Sequence, residues 1–194
     1  MDLDFLKIEH NNVPPARGKV LISEPFSDDA YFKRSVVLLT EHNEKGSIGF
    51  ILNKPLDVKI SELISGFEEN EASVSIGGPV QTNTVHYIHT LGESISGSMQ
   101  ITDDVFWGGD IDQVKLLMET GIINHNQIRF FVGYSGWSPN QLKEELENNF
   151  WIVTDIPTDI IFKKPDQGTW KESLNTMEDK YKIWTTFPEN PGFN

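Results

Sequence analysis

Lys33-Arg34-Ser35-Val36-Val37-Leu38-Leu39-Thr40-Glu41-His42-Asn43-Glu44-Lys45-Gly46-Ser47-Ile48-Gly49-Phe50-Ile51-Leu52-Asn53-Lys54-Pro55 is the stretch that decides the fold. Two apolar runs, 36–39 and 48–52, flank a polar segment, 41–46. Short hydrophobic runs bounded by turn residues predict a β-hairpin, with Gly46 able to take positive φ at the loop's end. Neither run alternates apolar with polar, so both faces of the hairpin are expected to be covered. That makes it a central element, with its chemistry confined to the two ends.

Pairing Thr40 with Ser47 sets Arg34 opposite Asn53 and Lys33 opposite Lys54. Three cations and an amide then meet at the open end, and facing like charges destabilise a sheet unless something answers them. Internal carboxylates such as Asp28 and Asp29 are the simpler answer. The alternative is an external anion, in which case Arg34, Asn53 and Lys54, with the Gly77-Gly78-Pro79 loop, line a ligand or partner site.

Outward from the hairpin, strands are expected at 19–23, 74–76, 85–90, 98–102, 127–133, 150–153 and 159–162. Helices are expected at 60–64, at 110–118 with acids in the first turn and Gly121 at the end, after Ser138-Pro139 with Gln141 completing a capping box, and around 170–174. Residues 1–16 read as an arm with an amphipathic turn around Phe5, residues 17–175 as a single domain, and residues 176–194 as a loose tail. The fold class is α+β: a large mixed β-sheet with packed helices.

The hairpin, with Glu41-His42-Asn43 and Asn53-Lys54-Pro55, resembles the YqgE/AlgH family of bacterial proteins. The likeness continues through Gly77-Gly78-Pro79, Gly133-Tyr134-Ser135-Gly136-Trp137, Gln141-Leu142 with Glu144-Glu145, and Phe162-Lys163 with Trp170. The resemblance implies one domain with a mixed sheet and a bacterial, cytoplasmic origin. It carries over no catalytic or binding residues. Some members are named as transcriptional regulators, a label the resemblance brings with it. Some also carry a cysteine before the Glu-His pair where this chain has Thr40, so no thiol role transfers.

Secondary candidates are Glu41, His42, Asn43, Ser135, Gly136 and Trp137. Gly133-Tyr134-Ser135-Gly136-Trp137 resembles a nucleophile elbow, but that geometry needs glycine two residues after the serine and Trp137 stands there. The simpler reading makes it a strand-to-helix turn anchored by the indole. Glu41 and His42 are adjacent on an extended chain and point to opposite faces, which argues against a base with its orienting acid. An Asx turn at Asn43 is the simpler expectation. His86 and His89 alternate on a strand and do not converge on a metal, so they are expected at the surface or a sheet edge. Trp107 is expected to close one end of the sheet rather than to anchor a partner.

The 194 residues are 38% hydrophobic and 23% charged, with a formal net charge of −13 and no cysteine. That length suits one sizeable core. Disulfides, thiolate metal sites and cysteine nucleophiles are excluded. No apolar run approaches the ~18 residues a membrane helix needs. The acidic balance argues against a nucleic-acid surface. No catalytic residue, metal or cofactor is assigned. The leading function is a non-enzymatic binding or regulatory module acting through a protein partner or a small anionic ligand. A hydrolase using His42 or Ser135 ranks second, and a transcriptional regulator third.

Overall fold

A computed structural model describes residues 11–67, 72–124 and 126–188. The expected turn around Phe5 and the acidic stretch 68–71 lie outside the described residues. In chain order the strands are β1 (Val20–Ser23), β2 (Val36–Asn43), β3 (Gly46–Ile51), β4 (Pro55–Lys59), β5 (Ser73–Ile76), β6 (Val80–His89), β7 (Met99–Gln100), β8 (Phe106–Trp107), β9 (Ile128–Trp137) and β10 (Trp151–Thr154). The helices are α1 (Ile60–Leu63), α2 (Ile111–Glu119), α3 (Gln141–Glu147), α4 (Thr158–Phe162), α5 (Gly168–Asn175) and α6 (Asp179–Lys182), and a 3₁₀ turn follows at Ile183–Thr186. The strands form one ten-stranded sheet running β10-β1-β2-β3-β9-β6-β8-β7, with β5 joining β9 and β4 joining β5. The β5–β9 pair is parallel and makes the sheet mixed. The fold is α+β.

The hairpin is interior, and its continuous apolar runs explain why. Val20, Ile22, Val36, Leu38, Phe50 and Leu52 pack against Trp170, Leu174, Tyr181 and Trp184 from the C-terminal helices. Their alternates Leu21, Val37, Leu39 and Ile51 pack with Leu142 and Leu146 of α3. A third cluster joins Val114 and Met118 of α2 to Phe130. Burying one such side chain is worth about 1.5–3 kcal/mol. A seven-residue helix such as α3 is therefore held by its two leucines, since an isolated helix that short is marginal in water.

Five expectations are corrected. A bulge between Leu39 and Glu41 leaves Thr40 without a partner: Leu38 faces Phe50 and Val37 faces Ile51 on one side, and His42 faces Ser47 on the other. The connecting loop is only Glu44-Lys45, because both strands run on to Asn43 and Gly46. Tyr134-Ser135-Gly136-Trp137 is strand, and the helix begins only at Gln141, although the Gln141 side chain does accept from Ser138 N at 3.0 Å. Ile160, Ile161 and Phe162 are helical: their apolar run reads equally as a strand, and burial of all three, Ile161 and Phe162 beside the C-terminal helices, selects the helix. Beyond Thr176, where the sequence reads as tail, α6 and the 3₁₀ turn place Tyr181 and Trp184 in the core.

Strand β9 is the hub. Its first half lies between β5 and β6, and its second half between β3 and β6. Gly133, at φ +65, marks the change of neighbour; a Cβ there would lie 2.8 Å from the carbonyl oxygens of Gly78 and Val80. Gly77 crosses Gly133 so closely that a Cβ would come within 2.2 Å of its carbonyl oxygen, so both positions need glycine. At the outer edge of β10, the Asn11 side chain takes the place of a strand, donating to Val153 O at 2.6 Å and accepting from Val153 N at 3.2 Å.

Candidate functional site

The open end of the hairpin is built by backbone groups that the ladder leaves unpaired. Asp29 Oδ1 accepts from Tyr31 N and Phe32 N, and the turn it caps delivers Lys33 and Arg34 to the mouth of β2. Arg34 sits at φ +49. Asn53 replaces the next rung of the ladder: its Oδ1 accepts from Val36 N at 2.9 Å and its Nδ2 donates to Arg34 O at 2.8 Å. Lys54 Nζ reaches back to Lys33 O at 2.8 Å. The register differs from the expected one, yet Lys33, Arg34, Asn53 and Lys54 still meet.

They meet in a cleft of about 210 Å³, whose far wall is Gln167, Trp170 and Lys171 from the start of α5. Trp170, pinned by its Nε1 donating to Ser23 O at 2.9 Å, carries the Arg34 guanidinium 5.0 Å above its ring. Arg34 Nη2 donates to Phe187 O at 2.7 Å and to Pro188 O at 2.8 Å. Among the described residues, Lys33 and Lys171 make no ion pair. The Asp29 oxygen that was a candidate counter-charge is engaged by the turn instead.

Beneath this end lies Arg129, which the sequence did not single out. Its side chain is wholly inside, with Nη1 donating to Ile161 O at 2.6 Å and Nη2 to Leu52 O at 2.5 Å and Ser75 Oγ at 3.1 Å. Burial pulls its pKa down to about 9, so it stays charged at neutral pH. It fixes the carbonyl immediately before Asn53 and Lys54, linking β3 to β5 and α4.

The other candidates lie elsewhere. Gly77 and Gly78 are buried at the crossing with β9, where Ile51 N donates to Gly77 O at 3.0 Å; neither they nor Pro79 line the cleft. Glu41, Asn43, Gly136 and Trp137 border a separate open groove of about 410 Å³ at the loop end of the hairpin. Asn43 does form its Asx turn, with Lys45 N donating to Oδ1 at 2.8 Å. His42 Nδ1 lies 2.7 Å from Ser47 Oγ; Ser47 pairs with Trp137, is 5% exposed and sits on the lining of the same groove, while His42 is exposed. Ser135 is 0% exposed and donates to Gly77 O at 2.9 Å. Trp137 Nε1 donates to Glu145 Oε2.

The histidines also depart from expectation. His89 is 0% exposed, with Nε2 3.0 Å from Gly108 O and Nδ1 accepting from Leu91 N, an arrangement that satisfies the neutral ring. His86 is half-buried among Phe50, Trp107 and Tyr134. Burial lowers the pKa of both, against a smaller opposing effect of Gly108 O on His89. Trp107 stands edge-on to Phe50 at 5.8 Å, next to the outermost strand.

A large mixed sheet with helices packed on both faces defines the class of protein as α+β. The family model described as AlgH-like matches residues 20–182, and the chain belongs to that family. It is 47% identical over 177 residues to a UPF0301 protein of Chlorobium limicola, covering 91% of this chain and 95% of the relative. A UPF0301 protein of Parabacteroides distasonis is 42% identical over 193 residues, covering 98% of each. Two solved structures share the fold at 23% identity. A crystal structure of a Corynebacterium diphtheriae protein gives a TM-score of 0.74 and covers 96% of this chain and 98% of that one. The solution structure of the AlgH protein from Pseudomonas aeruginosa gives 0.70 and covers 92% and 97%. No helix among the described residues is long and apolar enough to cross a membrane.

Proposed function

We propose that this protein is a non-enzymatic binding module that takes a small anion, or an anionic group of a protein partner, in the cleft where the hairpin opens. One observation carries the reading: Lys33, Arg34, Lys54 and Lys171 converge on one cleft in a chain of net charge −13. Lys33 and Lys171, which make no ion pair among the described residues, face each other across this concavity and gain from an incoming anion. A single cation–anion contact at ~4 Å is worth ~1 kcal/mol in bulk water and ~4 kcal/mol at an effective dielectric of 20. Arg34, only 8% exposed, stands nearer the second limit than the lysines do.

The hydrolase reading draws less support, since Ser135 is 0% exposed and bonds Gly77 O, and no described carboxylate bonds the His42 ring, whose one described partner is Ser47 Oγ. A DNA-binding regulator would need a continuous positive face, whereas this cleft is small and only four of the chain's 16 Lys and Arg residues line it.

Titration calorimetry with phosphate, pyrophosphate and citrate tests the proposal. One or more should bind to the wild type, weaken as salt rises, and weaken about tenfold or more in Lys33→Ala/Lys171→Ala, a loss of ~1.4 kcal/mol. Equal affinity in the two proteins sinks it.

A further inference from the structure

The residue that contributes most to the cleft is already occupied. We propose that the C-terminal segment Phe187-Pro188 is an internal competitor for the cleft, holding Arg34 in a closed state that an anion must open. This rests on the anion-binding reading above and adds a regulatory device to it.

Arg34 Nη2 donates to two successive carbonyls, Phe187 O at 2.7 Å and Pro188 O at 2.8 Å, across more than 150 residues of sequence. The guanidinium is sandwiched: Trp170 lies 5.0 Å beneath it, and the segment bonds its edge. Its 8% exposure follows from these contacts. Carbonyl oxygens are neutral acceptors, whereas a carboxylate or phosphate adds the attraction of opposite charges to the bond from the same nitrogen and can take the planar guanidinium two bonds at a time. An anion entering between Lys33 and Lys171 therefore competes for Arg34 on favourable terms, provided the segment can leave.

The anchoring of the segment is graded in a way that permits this. Trp184 is 2% exposed in the core, and Tyr181 likewise, so the chain is fixed up to that point. Three residues on, the hold lessens: Phe187 is only half-buried at the margin of that core, and Pro188 is exposed. The Phe187 ring leans on Phe26 at 5.0 Å, and Phe26 is itself 41% exposed. Phe187 N bonds Trp184 O at a long 3.3 Å, and Pro188 has no N–H to offer. Release from Phe187 onward gives up the two Arg34 bonds and the packing of the half-buried Phe187 ring at the margin of the core, while Tyr181 and Trp184 keep their places inside it.

Two states that differ in who holds Arg34 must be linked reciprocally: anion binding loosens the segment, and removing the segment tightens anion binding by the same factor. The test compares pyrophosphate affinity of the full chain with a chain ending at Thr186 and with full-length Phe187→Ala, which keeps the backbone carbonyls but removes the ring anchor. The shortened chain should bind roughly 5–150-fold more tightly, the span of ordinary coupling energies, with Phe187→Ala shifted the same way. In the full chain, pyrophosphate should speed amide hydrogen exchange at Phe187 while leaving Trp184 protected. If the shortened chain fails to fold, the Phe187→Ala affinity and the exchange measurement decide alone. Affinity that is unchanged or weaker in the variants, while the wild type binds, overturns the competitor and leaves the cleft reading standing. No pyrophosphate binding by any of the three proteins removes both.

Discussion

The side chain of Asn53 is the clasp of the central hairpin, donating to Arg34 O at 2.8 Å while accepting from Val36 N at 2.9 Å. A backbone at φ +49 is uncommon for arginine, so Arg34 holds it only while its surroundings insist.

Replacing Asn53 with alanine strips two buried backbone groups of their partners. An unsatisfied buried group costs about 1–3 kcal/mol, so Asn53→Ala should lower stability by at least ~2 kcal/mol. Anion affinity should fall with it, because Lys33, Arg34 and Lys54 lose their common frame. Chemical denaturation and calorimetry on the same sample check both, and a variant of wild-type stability contradicts the clasp.

Arg129 is predicted to be structural and intolerant of a hydrophobic substitute. In Arg129→Met, Leu52 O and Ile161 O lose their donor, and about 2 kcal/mol or more of stability should go despite the shape-matched side chain. Arg129→Lys should fail as well, since an ammonium cannot present the planar fork that three acceptors in different elements require. Either variant keeping its urea midpoint argues against the clamp.

Acid should loosen the fold before the carboxylates titrate. His86 and His89 are held below their ordinary value of 6.5 by burial, so the unfolded chain takes up protons that the folded one refuses. Their contribution is whole above that value and is lost progressively as pH falls beneath it. Glu24, raised above 4.5 by burial and by Asp28, pushes the other way lower down, so pH 7.5 and 5.5 are the informative pair. The urea midpoint should drop between them in wild type and drop less in His89→Gln.

Glu145 accepts from two indoles at once, Trp137 at 2.8 Å and Trp151 at 2.7 Å. Hydrogen bonds to a charged group contribute about 1.5–3 kcal/mol. Glu145→Ala should therefore destabilise by about 2 kcal/mol or more and alter tryptophan emission, without touching anion affinity at the far end of the hairpin.

Ser135 gives the hydrolase alternative its own trial. Ser135→Ala should cost only about 1 kcal/mol, because Gly77 O keeps its bond from Ile51 N. A fluorophosphonate probe should leave the native protein unlabelled. Labelling at Ser135 or Ser47 would bring the enzyme reading back.

Much of the architecture is legible in the sequence, and the failures have physical causes. Unbroken apolar runs at 36–39 and 48–52 announce a hairpin covered on both faces, and Asp110 announces α2, whose first turn it caps. The expected register is off by two residues at the loop end, where His42 rather than Thr40 faces Ser47, and by one at the open end, because a bulge with no residue signature takes up one residue between Leu39 and Glu41. Ile160-Ile161-Phe162 fits either a strand or a helix, and only the neighbours that bury it choose. Half of the cleft was readable, because Arg34, Asn53 and Lys54 are brought together by a local hairpin. Lys171, Gln167 and Trp170 were not, since a helix more than a hundred residues away carries no mark of where it docks. Arg129 was missed because a single arginine in an apolar strand gives no hint that it points inward at carbonyls.

The placement of β9 sets a timetable for synthesis. Ser47 meets Trp137, about ninety residues downstream, and β5 and β6 also wait for that strand. At ribosomal speed the gap lasts on the order of 5–20 s. Through that interval the hairpin exists with two greasy faces and nothing to lay against them. The hazard of clumping therefore falls on the half-made chain rather than on the finished molecule, and it outlasts the arrival of residue 137, ending only when α3 and the C-terminal helices come to cover those faces.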